Sequence, residues 1–212
     1  MVNFAYLIGD TETREAVIVD PAYGVAELVD AAELDGMKVV GALATHYHPD
    51  HVGGSMMGHR IEGVHELLGQ NAIPIHVQRH EASGVQKVTG CAETDLMIHD
   101  GGDTVMVGEI PITLLHTPGH TPGSQCFLVD GRLVSGDTLF LEGCGRVDLP
   151  GASPEAMYES LNNVLGKLPD STIVFPGHLY SEDPSASLAD IKAHNYVYRF
   201  QTLPQFMTMF GG

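Results

Sequence analysis

The chain has 212 residues, of which 43% are hydrophobic, and this size and composition fit a globular domain with a sizeable core. Its formal net charge of −17 disfavours nucleic acid and anionic membrane surfaces as partners, because both need a basic protein face. No apolar run approaches the length of about 20 residues that a membrane-spanning helix requires.

Cysteine usage and the first residues indicate where the protein resides. The chain has three cysteines, Cys91, Cys126 and Cys144. No two of them form a CxxC motif, and they are too few for a disulfide framework. Residues 1–8 lack the basic flank and long apolar core of a signal peptide. We therefore expect a cytoplasmic protein with reduced thiols, and the sequence leaves open whether it forms a homo-oligomer.

Hydrophobic periodicity predicts two successive groups of strands and helices. The first group has strands at Phe4–Ile8, Ala16–Val19, Val39–Ala44 and Ile73–Val77, and helices at Gly24–Leu34, Ile61–Leu68 and Glu81–Val88. The second group has strands at Thr104–Val107, Ile110–Leu115, Gln125–Val129, Arg132–Ser135 and Thr172–Phe175, and helices at Ser153–Leu165 and Leu188–Tyr198. Because no linker divides the groups, we predict one domain over residues 1–212 in which two sheets pack together with helices outside.

A short run after the third predicted strand carries four potential metal ligands: His46, His48, Asp50 and His51. Imidazole and carboxylate are the ligands that zinc-type and iron-type ions prefer. Side chains two residues apart at a strand end point to the same face, so His46 and His48 converge on one ion. Pro49 stops the strand, which lets Asp50 and His51 turn back toward the same place. The run predicts a metal site.

Three later strands also end in a potential ligand, namely His116, Asp137 and His178. A single histidine at a strand end is weak evidence, but a repeated placement indicates one shared site at the carboxyl edge of the sheets. His120 follows His116 closely, and we expect it to hold a ligand in place by hydrogen bonding rather than to bind the metal itself.

Together these residues resemble the metallo-β-lactamase superfamily, over about residues 3–180. The resemblance implies an α/β fold of the α+β type, a four-layer αββα sandwich with the metal site at one edge of its two sheets. It also implies two sets of ligands, one for each of two divalent ions. The first ion is held by His46, His48 and His116, the second by Asp50, His51 and His178, and Asp137 bridges them.

The implied centre has a definite chemistry. Two adjacent divalent ions acidify a shared water, so that a hydroxide is available near neutral pH to attack an acyl carbon. We expect zinc, with iron or manganese as alternatives, since imidazole and carboxylate suit all three. Asp50 and Asp137 are the candidate catalytic residues, which orient the hydroxide or relay its proton.

Three further runs, at residues 116–124, 136–140 and 143–146, resemble the glyoxalase II-like branch of the superfamily, including its short single-domain bacterial members. That branch cleaves S-acylglutathione, so the resemblance implies a small-molecule thioester substrate. Arg146 and Tyr180 match substrate-contact positions of the branch. Two departures weaken the case for glutathione: Asp148 replaces an aromatic residue, and only some thirty residues follow His178.

Two alternatives remain open at this point. The pattern at residues 143–148 is shared with persulfide dioxygenases, which bind a single iron through residues matching His46, His116 and Asp137. Pro49 and the Thr138-Leu139-Phe140 run favour the hydrolase over this oxygenase. Lactonase activity, or another hydrolysis on the same fold, has no specific support in the sequence.

Overall fold

The computed structural model describes residues 2–211, whose strands form two main sheets and two short hairpins. The first sheet has the spatial order β1 (Tyr6–Asp10), β2 (Glu15–Val19), β3 (Lys38–Leu43), β6 (Ile75–Gln78) and β7 (Leu96–His99). The second has the order β15 (Ala186–Ser187), β14 (Ile173–Pro176), β11 (Arg132–Gly136), β10 (Gln125–Val129), β9 (Ile110–His116) and β8 (Thr104–Val107). The hairpins pair β4 (Gly54–Met56) with β5 (His59–Ile61), and β12 (Leu139–Phe140) with β13 (Gly143–Cys144).

The helices lie between and after these strands. They are α1 (Val25–Leu34), α2 (Pro49–Val52), α3 (Val64–Gln70), α4 (Ala82–Thr89), α5 (Pro154–Glu159), α6 (Leu188–His194) and α7 (Leu203–Phe210). A π-helical turn and a 3₁₀ turn extend α5 to Lys167. Within residues 2–211, no helix combines the length and apolar character that crossing a membrane would require.

Three clusters of buried apolar side chains define the layers. The middle cluster lies between the two sheets and joins Val17 and Leu43 of the first sheet to Leu114 and Phe127 of the second. A second cluster packs α1, α3 and α4 on the outer face of the first sheet. The third packs α5, α6 and α7 on the outer face of the second sheet. This arrangement confirms the predicted four-layer αββα sandwich.

The predicted helix at Leu188–Tyr198 ends early, at His194, for a reason that bears on the site. The Asn195 side chain accepts a hydrogen bond from the Val197 backbone and donates to the carbonyls of Phe140 and Gly143, at 3.0 Å each. Because it ties the chain to the β12–β13 hairpin, the backbone leaves the helix there. That hairpin forms one wall of the cleft described below.

Candidate metal centre

Parallel strands place the predicted ligands at one edge of the sandwich. In the first sheet, β2 and β3 run parallel and lead into Asp20 and His46. In the second, β11 and β14 run parallel and lead into Asp137 and His178. Gly177 lies so close to Asp137 that a β-carbon there would sit 2.6 Å from its Oδ1, so only glycine lets the two strand ends meet.

The first ligand cluster consists of three histidine rings. His48 Nδ1 lies 3.1 Å from His46 Nε2 and 3.0 Å from His120 Nε2. His46 and His120 are buried, and His48 is partly buried at the floor of a cleft. Three ring nitrogens this close together form a ligand set of the kind that a zinc-type ion takes.

Hydrogen bonds to the far side of these rings fix which nitrogen is free. Thr45 Oγ1 donates to Asp20 at 2.7 Å and therefore accepts from His46 Nδ1 at 3.0 Å, which leaves His46 Nε2 without a proton. His120 Nδ1 donates to the Arg146 carbonyl at 2.8 Å, so His120 Nε2 also carries no proton. The two lone pairs face His48 Nδ1, where a cation would relieve their repulsion.

The second cluster comprises Asp50, His51 and His178, all buried. The two Nε2 atoms of His51 and His178 lie 3.2 Å apart, and Asp50 Oδ2 lies 3.8 and 3.6 Å from them. His51 Nδ1 donates to Asp20 at 2.8 Å, so its Nε2 also faces the cluster. Asn3 donates to the backbone and side-chain oxygens of Asp50 and holds that carboxylate in place.

Asp137 lies between the two clusters. Its Oδ1 is 3.3 Å from Nε2 of both His51 and His178, and its Oδ2 is 3.6 Å from His120 Nε2. The buried Oδ1 has no well-oriented hydrogen bond to any residue in the described range. A carboxylate with one oxygen toward each cluster is placed to bind two ions at once.

The pKa shifts of His46, His48 and Asp137 suit a bound cation. Burial, and then the neighbouring rings, hold the pKa of His46 well below its usual value, and burial with His120 lowers the pKa of His48 to about 4. Burial opposes ionisation of Asp137, but the pKa of this carboxyl is held well below its usual value, chiefly by His51 and His178. Neutral imidazoles and an ionised carboxylate are the forms that divalent metals bind, and His46, His48 and Asp137 match them. His51 differs: burial opposes its protonation, but Asp137 and Asp20 hold its pKa well above the usual value, so a bound ion would have to displace a proton from this ring.

The position of His116 corrects the sequence prediction. His116 still lies in β9, paired with Gln125, and its Nε2 donates to the Pro122 carbonyl at 3.0 Å. The turn that follows carries His120 into the first cluster instead. The structure therefore brings His120 into the first cluster, where we had expected His116.

Glu81 explains why the turn folds this way. This fully buried carboxylate accepts hydrogen bonds from the Tyr47 backbone, the Thr121 hydroxyl and the Gly123 backbone, at 2.7, 2.8 and 2.7 Å. It therefore ties the His46–His48 segment to the turn that carries His120. Sequence reasoning had placed Glu81 at the start of a helix and did not assign it to the site.

Asp20 is a second residue that sequence reasoning missed. Its buried carboxylate accepts from the Thr45 backbone and hydroxyl and from His51 Nδ1, at 2.7, 2.7 and 2.8 Å. It thus orients one histidine in each cluster. The sequence does contain a signal for Asp20: it directly follows the apolar strand Ala16–Val19, just as each predicted ligand follows an apolar strand.

We expect Asp20→Asn to weaken metal binding at the centre by about 10- to 100-fold, the usual effect of removing a carboxylate that orients a ligand histidine. An amide still accepts one bond but does not attract the His51 N–H as a carboxylate does. Titration with zinc in a competing chelator measures the change. Thr45→Val, which removes the hydroxyl that links Asp20 to His46 but keeps the Asp20 contact with His51, is the matched variant and should cost less. An equal loss of metal affinity in both variants would show that Asp20 does not act through His51.

The centre opens into a cleft with a volume of about 800 Å³. Met56, Met57, Phe140, Leu149 and Tyr196 supply its apolar walls. Both predicted substrate contacts line the same cleft: Tyr180 stacks on His178 with ring centroids 5.1 Å apart, and Arg146 lies at the rim, paired with Asp148. The dimensions suit a small organic molecule.

A family model described as the metallo-β-lactamase superfamily matches residues 1–178 of the chain. The chain is 37% identical to the cytoplasmic hydroxyacylglutathione hydrolase of Arabidopsis thaliana and 32% identical to the mitochondrial persulfide dioxygenase ETHE1 of Homo sapiens. Each match covers 84% of this chain and 64% of the relative, so the chain is shorter than both proteins.

Solved structures agree with this grouping. The crystal structure of ETHE1 from Myxococcus xanthus superposes with a TM-score of 0.84 and is 30% identical, covering 99% of this chain and 85% of that one. The crystal structure of TTHA1623 in a di-iron-bound form has a TM-score of 0.70 and is also 30% identical, covering 91% of this chain and 93% of that one.

Proposed function

Since the chain belongs to the metallo-β-lactamase superfamily, we propose that it is a dinuclear metallo-hydrolase of the glyoxalase II-like branch that cleaves a small thioester of the S-acylglutathione type. The observation that carries the proposal is Asp137, whose two oxygens face two separate ligand clusters. A site for two ions favours hydrolysis, and the relation to hydroxyacylglutathione hydrolase supports a thioester substrate.

The residues of the centre fit two divalent ions, for which we propose zinc. The first would be held by His46, His48 and His120, the second by Asp50, His51 and His178, and Asp137 would contact both. When bound, such ions acidify water and polarise an acyl carbonyl. The likeness to a di-iron-bound structure supports the count of two ions. It does not identify the metal, for which zinc is our proposal.

The protein's own groups orient the reaction. Asp50 and Asp137 line the floor of the cleft with their carboxylates, where they can accept a proton from the attacking water. The ring of Tyr180, packed edge-to-face on Phe140 at 4.9 Å, forms a wall beside His178 against which an acyl group can lie. The thioester carbon would then lie between the clusters, with the thiol part directed along the cleft.

Persulfide dioxygenase is the second candidate, because human ETHE1 is 32% identical and the Myxococcus xanthus ETHE1 structure covers 99% of the chain. That activity needs one iron and consumes oxygen. The seven-residue, two-cluster centre favours the hydrolase, but the oxygenase shares its fold.

Metal analysis and paired assays decide between the two. We expect about two divalent ions per chain in the purified protein. We also expect hydrolysis of S-lactoylglutathione, which is measured as the loss of thioester absorbance. Oxygen uptake with glutathione persulfide is measured on the same preparation. One iron per chain with oxygen consumption and no thioester cleavage would replace the proposed function by the second candidate.

A further inference from the structure

An acidic depression adjoins the cleft that leads to the metal centre. A neighbouring depression of about 650 Å³ shares Glu142 and Tyr180 with the cleft and is also lined by Glu182, Asp183 and Asp190. A substrate arm that leaves the cleft in this direction passes Glu142 and enters a region of negative charge. Like-charge contact of this kind disfavours an anionic ligand.

Arg146 is the one lysine or arginine among the described residues that line these two spaces. Its guanidinium is already engaged: Nε donates to Asp148 Oδ1 at 2.9 Å and Nη2 donates to Asp148 Oδ2 at 2.8 Å. This bidentate contact uses one of the two guanidinium edges that can bind a carboxylate, and it places a negative charge beside the cation. An anionic substrate at Arg146 would therefore either displace Asp148 or lie next to its carboxylate.

Several side chains that line the cleft are apolar. Met56 and Met57 of the β4–β5 hairpin region face the cleft, and Met57 is 92% exposed. Phe140 and Leu149 line the same space. These side chains suit the aliphatic part of a substrate, whereas no free cation is available among them for a carboxylate.

We propose that the cleft selects thioesters whose thiol part carries no net negative charge, and that Asp148 determines this specificity by occupying Arg146. The inference rests on the proposed thioesterase function and narrows its substrate class. Glutathione, with two carboxylates and one ammonium group, carries one net negative charge and would be the poorer thiol part. An uncharged thiol part with amide groups and methylenes fits better.

The test compares one acyl group on two thiols, with the metal-loaded, full-length protein. We expect a higher kcat/KM for S-lactoyl-N-acetylcysteamine, which is uncharged, than for S-lactoylglutathione. Asp148→Asn should lower the KM for the glutathione ester by about 3- to 10-fold and leave kcat, and the KM for the uncharged ester, unchanged. Adding Arg146→Ala to this variant should restore the original KM, because the released cation is then absent.

The chain offers a matched control. Arg79 and Asp100 form an exposed pair of the same geometry, with contacts of 2.9 and 2.8 Å, outside the cleft. Asp100→Asn removes the same charge from the protein and should leave the preference between the two esters unchanged. A KM effect of equal size in Asp100→Asn would show that net charge, not Asp148, sets the preference, and would overturn the inference.

A binding measurement separates this inference from the proposed function. S-hexylglutathione, which cannot be hydrolysed, should bind about 3- to 10-fold more tightly to Asp148→Asn than to the unaltered protein by calorimetry. If neither ester is cleaved but this tightening is found, the hydrolase proposal fails and the assignment of Asp148 stands. If the unaltered protein prefers the glutathione ester, or Asp148→Asn does not tighten binding, the inference is wrong.

Discussion

Replacement of Asp137 by alanine is expected to lower kcat for thioester hydrolysis by more than about 10³-fold, beyond the 10- to 100-fold typical of residues that only support a ligand. Asp137 is the one described residue whose carboxylate oxygens face both ligand clusters, at 3.3 Å from His51 and 3.6 Å from His120. Its loss removes a ligand from both proposed ions and the negative charge that offsets theirs.

Metal content and folding are measured on the same variant. We expect fewer than two ions per chain by elemental analysis and an unchanged far-ultraviolet circular dichroism spectrum, because Asp137 lies beyond the end of β11 and outside the three apolar clusters. Asp130→Asn, in the exposed turn that precedes β11, is the control and should retain full activity. Full activity in Asp137→Ala would refute the bridging role.

The strands next to the centre could be predicted because their patterns reflect local burial. The run before His46 is almost wholly apolar, and β3 is covered on both faces, by α-helices and by the second sheet. The alternation in Thr104–Val107 matches a strand with one solvated face, and β8 alternates between exposed and buried residues. The predicted bounds of β10, at Gln125–Val129, are those observed.

Elements whose stability comes from distant contacts were missed. α7 has Pro204 in its first turn, and its fully buried Phe206 packs beside the distant Tyr158 of α5, with ring centroids 5.5 Å apart. The two-residue strands β12 and β13 lack a pattern of their own and depend on the Asn195 hydrogen bonds. No local window of sequence contains that information.

The same reasoning explains which of the predicted ligands the structure brings together. His46 and His48 were predicted from the alternation of side chains expected at a strand end, although β3 already ends at Leu43. Asp137 and His178 were predicted because each follows an apolar strand, and these strands, β11 and β14, lie side by side and parallel. His116 and His120 occur in two nearly identical contexts, His-Thr-Pro-Gly, so the sequence offers no local reason to prefer either. The choice depends on Glu81, which is distant in sequence and holds the turn in place.

His120→Ala and His116→Ala are therefore expected to differ sharply. His120→Ala removes one of three nitrogens from the first cluster, so this variant should lose the first ion and lower kcat by more than about 10³-fold. His116→Ala removes only a hydrogen bond to Pro122 and a ring contact with His80, whose centroid is 5.8 Å away. It should keep both ions and most of its activity.

Elemental analysis of the two variants, with kcat for S-lactoylglutathione or the uncharged ester, measures this difference. His120→Gln adds a control for volume, since its amide fills the space of the ring but is a poor ligand, and it should behave as His120→Ala does. Because His120 Nε2 lies 3.0 Å from His48 Nδ1 whereas His116 hydrogen-bonds Pro122, loss of metal from His116→Ala with retention in His120→Ala would require the turn at residues 117–124 to rearrange when metal binds. That outcome would reinstate His116 as a ligand and leave His120 as its support.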